Sequence, residues 1–117
     1  MSARSRLAAA TAVALAACGG ATPPQEVALE FLRSREPAKC RLVLTEVLER
    51  QTGLRGAAAR RFCEKNVGRE PPPGEVTVIE SEIRAGVATV EVVVSEREER
   101  LELVKRDGEW RISAFPE

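Results

Sequence analysis

The chain has 117 residues, 31% of them charged, no net charge, and neither histidine nor tyrosine. That length provides one modest core, and a chain of this size buries only roughly 60–70% of the surface its unfolded form exposes, so a covalent staple adds noticeably to its stability. The charge balance excludes a basic footprint for nucleic acid, and the missing histidine removes the commonest general base and the commonest transition-metal ligand.

The chain starts with a short segment carrying Arg4 and Arg6, followed by an apolar run from Leu7 to Ala17 broken only by Thr11. This is the pattern of a signal peptide. As a helix the run rises about 16 Å, half of the ~30 Å hydrocarbon core, so it cannot serve as a spanning anchor. The tetrapeptide Leu15-Ala16-Ala17-Cys18 resembles the bacterial lipobox, in which a branched apolar residue and two small ones precede a cysteine that receives a diacylglyceryl group. Small residues let the peptidase approach the backbone, and the cysteine carries the lipid as a thioether. The resemblance implies a lipoprotein signal peptide over residues 1–17, lipidation (palmitate or a similar acyl chain) at Cys18, and an extracytoplasmic protein lipid-anchored to the cell membrane or outer membrane. Two or more acyl chains make such an anchor durable. The alternative is an ordinary cut after an Ala-x-Ala site, which leaves Cys18 as a spare thiol. Loss of Arg4 and Arg6 would give the mature chain a net charge of about −2. Residues 18–22 then form the lipidated cysteine and a tether, with Gly19 to Thr22 reaching about 15 Å at full extension.

Thr22-Pro23-Pro24-Gln25 predicts a helix start, with Thr22 as N-cap and Gln25 completing a capping box. Val27, Ala28, Phe31 and Leu32 form its apolar stripe. A second helix is expected from Pro37 to about Gly53, because Cys40, Val43, Leu44, Val47 and Leu48 fit the i, i+3, i+4, i+7, i+8 template without a gap. A third runs from about Gly56 to Asn66, with Ala59, Phe62, Cys63 and Val67 on one face. Pro71-Pro72-Pro73-Gly74 excludes helix and ladder alike and divides a helical half from a strand half.

Val76 to Ile83 and Val87 to Val94 read as strands joined by Arg84-Ala85-Gly86. In the second, Ala88, Val90, Val92 and Val94 are expected to face the helices. The mixed-sign run Glu96 to Arg100 reads as a solvated loop. Asp107-Gly108 predicts a two-residue turn that sets Lys105 opposite Trp110, Leu103 opposite Ile112 and Leu101 opposite Ala114.

Three N-terminal helices packed on a C-terminal antiparallel sheet of about four strands make an α+β domain. Three stretches, Glu26-Val27-Ala28-Leu29-Glu30-Phe31-Leu32, Gly86-Val87-Ala88-Thr89-Val90-Glu91-Val92 and Leu103-Val104-Lys105-Arg106-Asp107-Gly108-Glu109-Trp110-Arg111-Ile112, are together similar to small exported proteins of the NTF2-like (cystatin-like cone) superfamily. The resemblance covers about Pro24 to Phe115 and implies a cone-like domain over residues 23–117. That superfamily includes isomerases, dehydratases, ligand binders and proteins without known activity, so the resemblance speaks to fold far more than to function. Its enzymes often use an Asp/His or Tyr/Asp arrangement. The sole aspartate here, Asp107, belongs to a predicted turn, and no enzymatic activity is expected by carry-over.

If Cys18 is lipidated, Cys40 and Cys63 are the pair left to form a disulfide in an oxidising compartment. Reduced core thiols or a redox-active pair are the alternatives. Glu80 and Glu82 share a strand face with Val76 and Val78, and buried in a cavity they would be a candidate acid/base pair. The opposite register turns Thr77, Ile79 and Ile83 inward and leaves both glutamates in solvent. Trp110 is a candidate pocket wall or a core residue. Val87 and Val93, beside Thr89 and Glu91, make the outer sheet face a candidate interface.

The expected function is a non-enzymatic, membrane-anchored envelope lipoprotein whose domain binds a protein partner, either an envelope protein or a second copy, or a small apolar ligand. The alternative is a small-molecule enzyme or carrier that uses the cone cavity with Glu80 and Glu82. No metal, cofactor or nucleic acid is expected.

Overall fold

The computed structural model describes residues 21–69 and 74–115. The expected signal peptide, Cys18 and the Pro71-Pro72-Pro73 divider lie outside the described residues. Four antiparallel strands, β1 (Val76–Arg84), β2 (Val87–Val94), β3 (Arg97–Arg106) and β4 (Glu109–Ala114), form a meander in the order β1-β2-β3-β4. Among the described residues three α-helices, α1 (Pro24–Arg33), α2 (Thr45–Thr52) and α3 (Gly56–Asn66), accompany the sheet, together with a 3-10 helix, η1 (Pro37–Leu42), and a short 3-10 turn at Val67–Arg69. The architecture is α+β. The buried cluster runs from Val27 to Ile112, so a chain beginning at Ala21 contains all of it.

The apolar stripe of α1 buries Val27 and Ala28. Its start differs from expectation: Pro23 is the N-cap, no side chain caps it, and the Pro23 carbonyl accepts from the N–H groups of Glu26 and Val27. Proline suits this first turn because the N–H it lacks would have no intrahelical partner there. At the other end, the Arg33 guanidinium donates to the Val76 carbonyl at 2.9 Å, and near the start of the helix the Ser81 hydroxyl donates to Gln25 at 3.4 Å. These two contacts lay α1 along β1.

The expected single helix from Pro37 to Gly53 is broken. After η1, Val43 is extended and bridges Ile112 in parallel, the Leu44 N–H donates to the Ile112 carbonyl at 3.0 Å, and α2 begins at Thr45. Cys40, Val43, Leu44, Val47 and Leu48 are all buried nonetheless. The periodicity was satisfied in burial but not in backbone. A break of this kind orphans carbonyls, and Arg60 from α3 meets them: its guanidinium donates to the carbonyls of Cys40 and Val43 and, at 2.7 Å, to the Thr45 hydroxyl. One turn along α3, Cys63 is disulfide-bonded to Cys40 with a Cα separation of 6.2 Å, inside the range such bonds require. The Glu49 carboxylate accepts from the Gly56 N–H at 2.7 Å, placing an acid at the α3 N-terminus.

Ala88, Val90 and Val92 on β2, Leu101 and Leu103 on β3, and Ile112 on β4 are fully buried. All three hairpins turn on two residues with positive φ, namely Ala85-Gly86, Ser95-Glu96 and Asp107-Gly108, the pattern whose twist matches that of the strands. Glu96 to Arg100 is therefore not a loop. Arg97 begins β3, and Glu91 and Arg100 pair across β2 and β3. Lys105 opposes Trp110 and Leu103 opposes Ile112 as expected, but Ala114 opposes Glu102 rather than Leu101. The shift leaves Ser113 as the extra residue, and its hydroxyl donates to the Glu102 carbonyl at 3.2 Å.

Candidate ligand groove

A bulge at Ile79 decides where the glutamates of β1 go. Before it, Val76 and Val78 oppose Val94 and Val92; after it, Ser81 and Ile83 oppose Val90 and Ala88, while Glu80 and Glu82 oppose Glu91 and Thr89. An extra residue in a period of two turns the following side chains over. Glu80 and Glu82 thus sit exposed on the outer face, and Glu82 pairs with Arg84 at 2.6 Å. Thr77 is also exposed, Ile79 falls at the bulge, and Ile83 keeps the inner side but lies beyond Ser81, where α1 begins, and is 57% exposed. Both carboxylates face solvent.

The outer face holds Val87 and Val93 half-buried at opposite ends of β2. Val87 has Val104 beside it on β3, while Val93 lies opposite Thr77 and Glu98. Between them the Glu91–Arg100 ion pair at 3.2 Å interrupts the apolar surface. Trp110 is 7% exposed and belongs to the core, with Lys105 Nζ 5.6 Å above its ring. Its edge reaches a hollow of about 380 Å³ shared with Ala21, Thr22, Glu30 and Asp107.

The apolar hollow lies elsewhere, among the helices. A groove of about 300 Å³ is walled by Phe31 of α1, Lys39 of η1, Leu48 and Thr52 of α2, Phe62 and Cys63 of α3, and Phe115 just after β4. All three phenylalanines of the chain meet there. The Phe31 and Phe115 rings stand 5.2 Å apart at 47°, and Lys39 Nζ lies 4.7 Å from the Phe31 ring. Phe62 was expected on the buried face of α3 but is 49% exposed at the groove. Its neighbour Asn66 donates to the Phe62 carbonyl at 2.7 Å, and Thr52 donates to the Leu48 carbonyl at 2.8 Å, so these polar side chains satisfy their own helices. The disulfide joins η1 to α3 and thereby fixes the distance between the Lys39 and Phe62 walls. The only sequence signal for the groove was the scarcity of aromatics, 3% of the chain, spread over three separated elements.

Fold and groove together define a class: small α+β domains with helices packed against an antiparallel sheet and an apolar pocket among them. No family model matches the chain, and no curated protein does. Among solved structures it is similar to a Campylobacter jejuni protein carrying the provisional label NTF2-like transpeptidase, with a TM-score of 0.47 at 14% identity over 80% of this chain and 99% of that one. A superposition of this quality carries no inference about shared chemistry, and transpeptidation is said of that protein alone.

Proposed function

We propose that the chain is an extracytoplasmic, membrane-anchored lipoprotein whose domain holds a small apolar molecule in the groove without transforming it. The convergence of Phe31, Phe62 and Phe115 carries this reading, because a half-exposed phenylalanine on a small domain costs solvation unless something covers it. Anchoring is supported by the Leu15-Ala16-Ala17-Cys18 pattern, and the disulfide between the other two cysteines suits an oxidising compartment. A partner on the outer sheet face is less favoured, since Glu91–Arg100 separates its two valine patches. Acid/base chemistry at Glu80 and Glu82 is disfavoured by their open setting.

Two measurements test the two parts. In fractionated cells the full chain is expected in the membrane, and Cys18→Ala is expected to release the domain or leave an uncut precursor; a variant processed and retained like the wild type removes the anchor. An uncharged naphthylamine dye titrated into the oxidised domain is expected to saturate one site, and Phe62→Ser to weaken that site about tenfold, the effect of losing a partly buried aromatic contact. Equal affinities for the two proteins would remove the groove.

A further inference from the structure

We propose that the exposed side of the α2–α3 hairpin seats on an anionic lipid surface, with its basic side chains at the phosphates and Leu54 and Phe62 in the interface. The chain is neutral as a whole, but its halves are not. Residues 21–69 carry ten Lys and Arg against six Glu, whereas residues 74–115 carry six Lys and Arg against ten Asp and Glu. The positive surplus is concentrated further: from Arg50 to Arg69 there are six basic residues and a single acid, Glu64. Arg60 is turned inward onto the helix break, but Arg50, Arg55, Arg61 and Lys65 are exposed. The acid of α2 closest to the turn, Glu49, is engaged by the Gly56 N–H and by Arg55. Charge separated in this way orients a molecule near a charged surface, here with the helices toward an anionic bilayer and the sheet away from it.

Apolar side chains favour lipid over a purely electrostatic partner. Leu54 lies in the turn between the two helices and is 39% exposed. Phe62 is exposed too, and helical spacing sets it on the same side of α3 as Arg61 and Lys65. Leucine and phenylalanine among cations suit a membrane interface, where apolar groups reach the acyl boundary and Lys and Arg stay with the headgroups. The exposed apolar residues of the sheet differ, because Ile79 and Ile83 have Glu80 and Glu82 beside them, which an anionic surface repels. The anchor proposed at Cys18 would hold this face near the bilayer, but the attraction belongs to the domain itself. It is also independent of the groove, since only Phe62 among these residues lines it.

The test is co-sedimentation of the oxidised domain, residues 21–117, with vesicles of equal parts phosphatidylglycerol and phosphatidylcholine and with vesicles of phosphatidylcholine alone. Binding is expected to be at least about tenfold tighter to the anionic vesicles and to weaken as salt is raised. Arg50→Gln, Arg61→Gln and Lys65→Gln combined are expected to lose about tenfold or more of that binding. Arg84→Gln, Arg97→Gln and Arg100→Gln combined make the same change in net charge on the sheet and should lose less than about twofold. Circular dichroism is expected to match the wild type in both, which keeps loss of binding distinct from loss of fold. Leu54→Trp is expected to be quenched by lipid brominated in its acyl chains. Equal binding to the two kinds of vesicle, equal losses in the two triple variants, or no quenching at Leu54→Trp overturns the proposal. So does self-association of the vesicle-free domain that the helical substitutions abolish, which would put the acidic sheet of a second copy on this face.

Discussion

The sheet, residues 76–114, pairs each strand with the next through two-residue turns, whereas the helices, residues 24–69, are fixed by individual bonds between distant residues. Cys40 is tied to Cys63, Arg60 holds the carbonyls of Cys40 and Val43, and the Leu44 N–H reaches Ile112. A ladder is redundant, because losing one rung leaves the others in place. The helical half depends on a few devices that act once each, and the groove is built in that half. Helices and groove are therefore expected to open at lower free energy than the strands.

The largest test of that contrast is Cys40→Ala combined with Cys63→Ala. With a sequence separation of 23, removing the cross-link is expected to cost roughly 3.5 kcal/mol in denaturant unfolding on the chain-entropy model. Hydrogen exchange should lose protection in η1 and α3 before β2 and β3. Equal loss in both halves would erase the distinction.

Arg60→Ala comes next. It strips two backbone carbonyls and a hydroxyl of a charged donor, at an expected cost of about 2 kcal/mol, again with protection falling first around Val43 and Thr45. A neutral result would mean that water replaces the guanidinium at the helix break.

A smaller change sharpens the sheet side. Ser95 and Glu96 form a turn with φ of 50° and 72° and no glycine. Glu96→Gly is expected to stabilise the chain by about 0.5 kcal/mol, since relief of left-handed strain exceeds the added unfolded-state entropy. The gain should appear as a higher denaturant midpoint with an unchanged slope.

The smallest effect is expected at Arg106→Ala. The hydrogen bond from Arg106 holds the exposed Glu46 carboxyl below its ordinary value. A carboxylate with a depressed folded-state pKa contributes stability above its unfolded pKa and loses it as pH falls through the folded one. Carboxyl ¹³C titration should therefore move Glu46 upward in the variant, with little change in overall stability, as befits a surface pair.

Much of the sheet was legible because its signals are local. β-branched alternation marked β2, and glycine marked the turns at Ala85-Gly86 and Asp107-Gly108, where positive φ favours it. Ser95-Glu96 makes the same kind of turn without glycine, so the charged run after it read as a loop. The bulge at Ile79 was invisible because no residue type announces it, and it reversed the neighbourhood of Glu80 and Glu82. In the helical half, Val43 and Leu44 satisfied a helical template while their partner, Ile112, lay far along the chain. Burial was readable there and backbone was not. The cysteine pair was found by elimination, but the groove was missed because its aromatic walls come from elements brought together only in the folded chain.

The most direct measurement combines the stapled helices with the groove: titration of the uncharged naphthylamine dye into the oxidised domain and into the Cys40→Ala, Cys63→Ala variant, at a temperature where circular dichroism shows the strands of both intact. Saturable one-site binding by the oxidised domain, weakened at least tenfold in the variant, is the predicted result. Equal binding by both, or none by the oxidised domain, would contradict the claim that the disulfide-held helices form the ligand site.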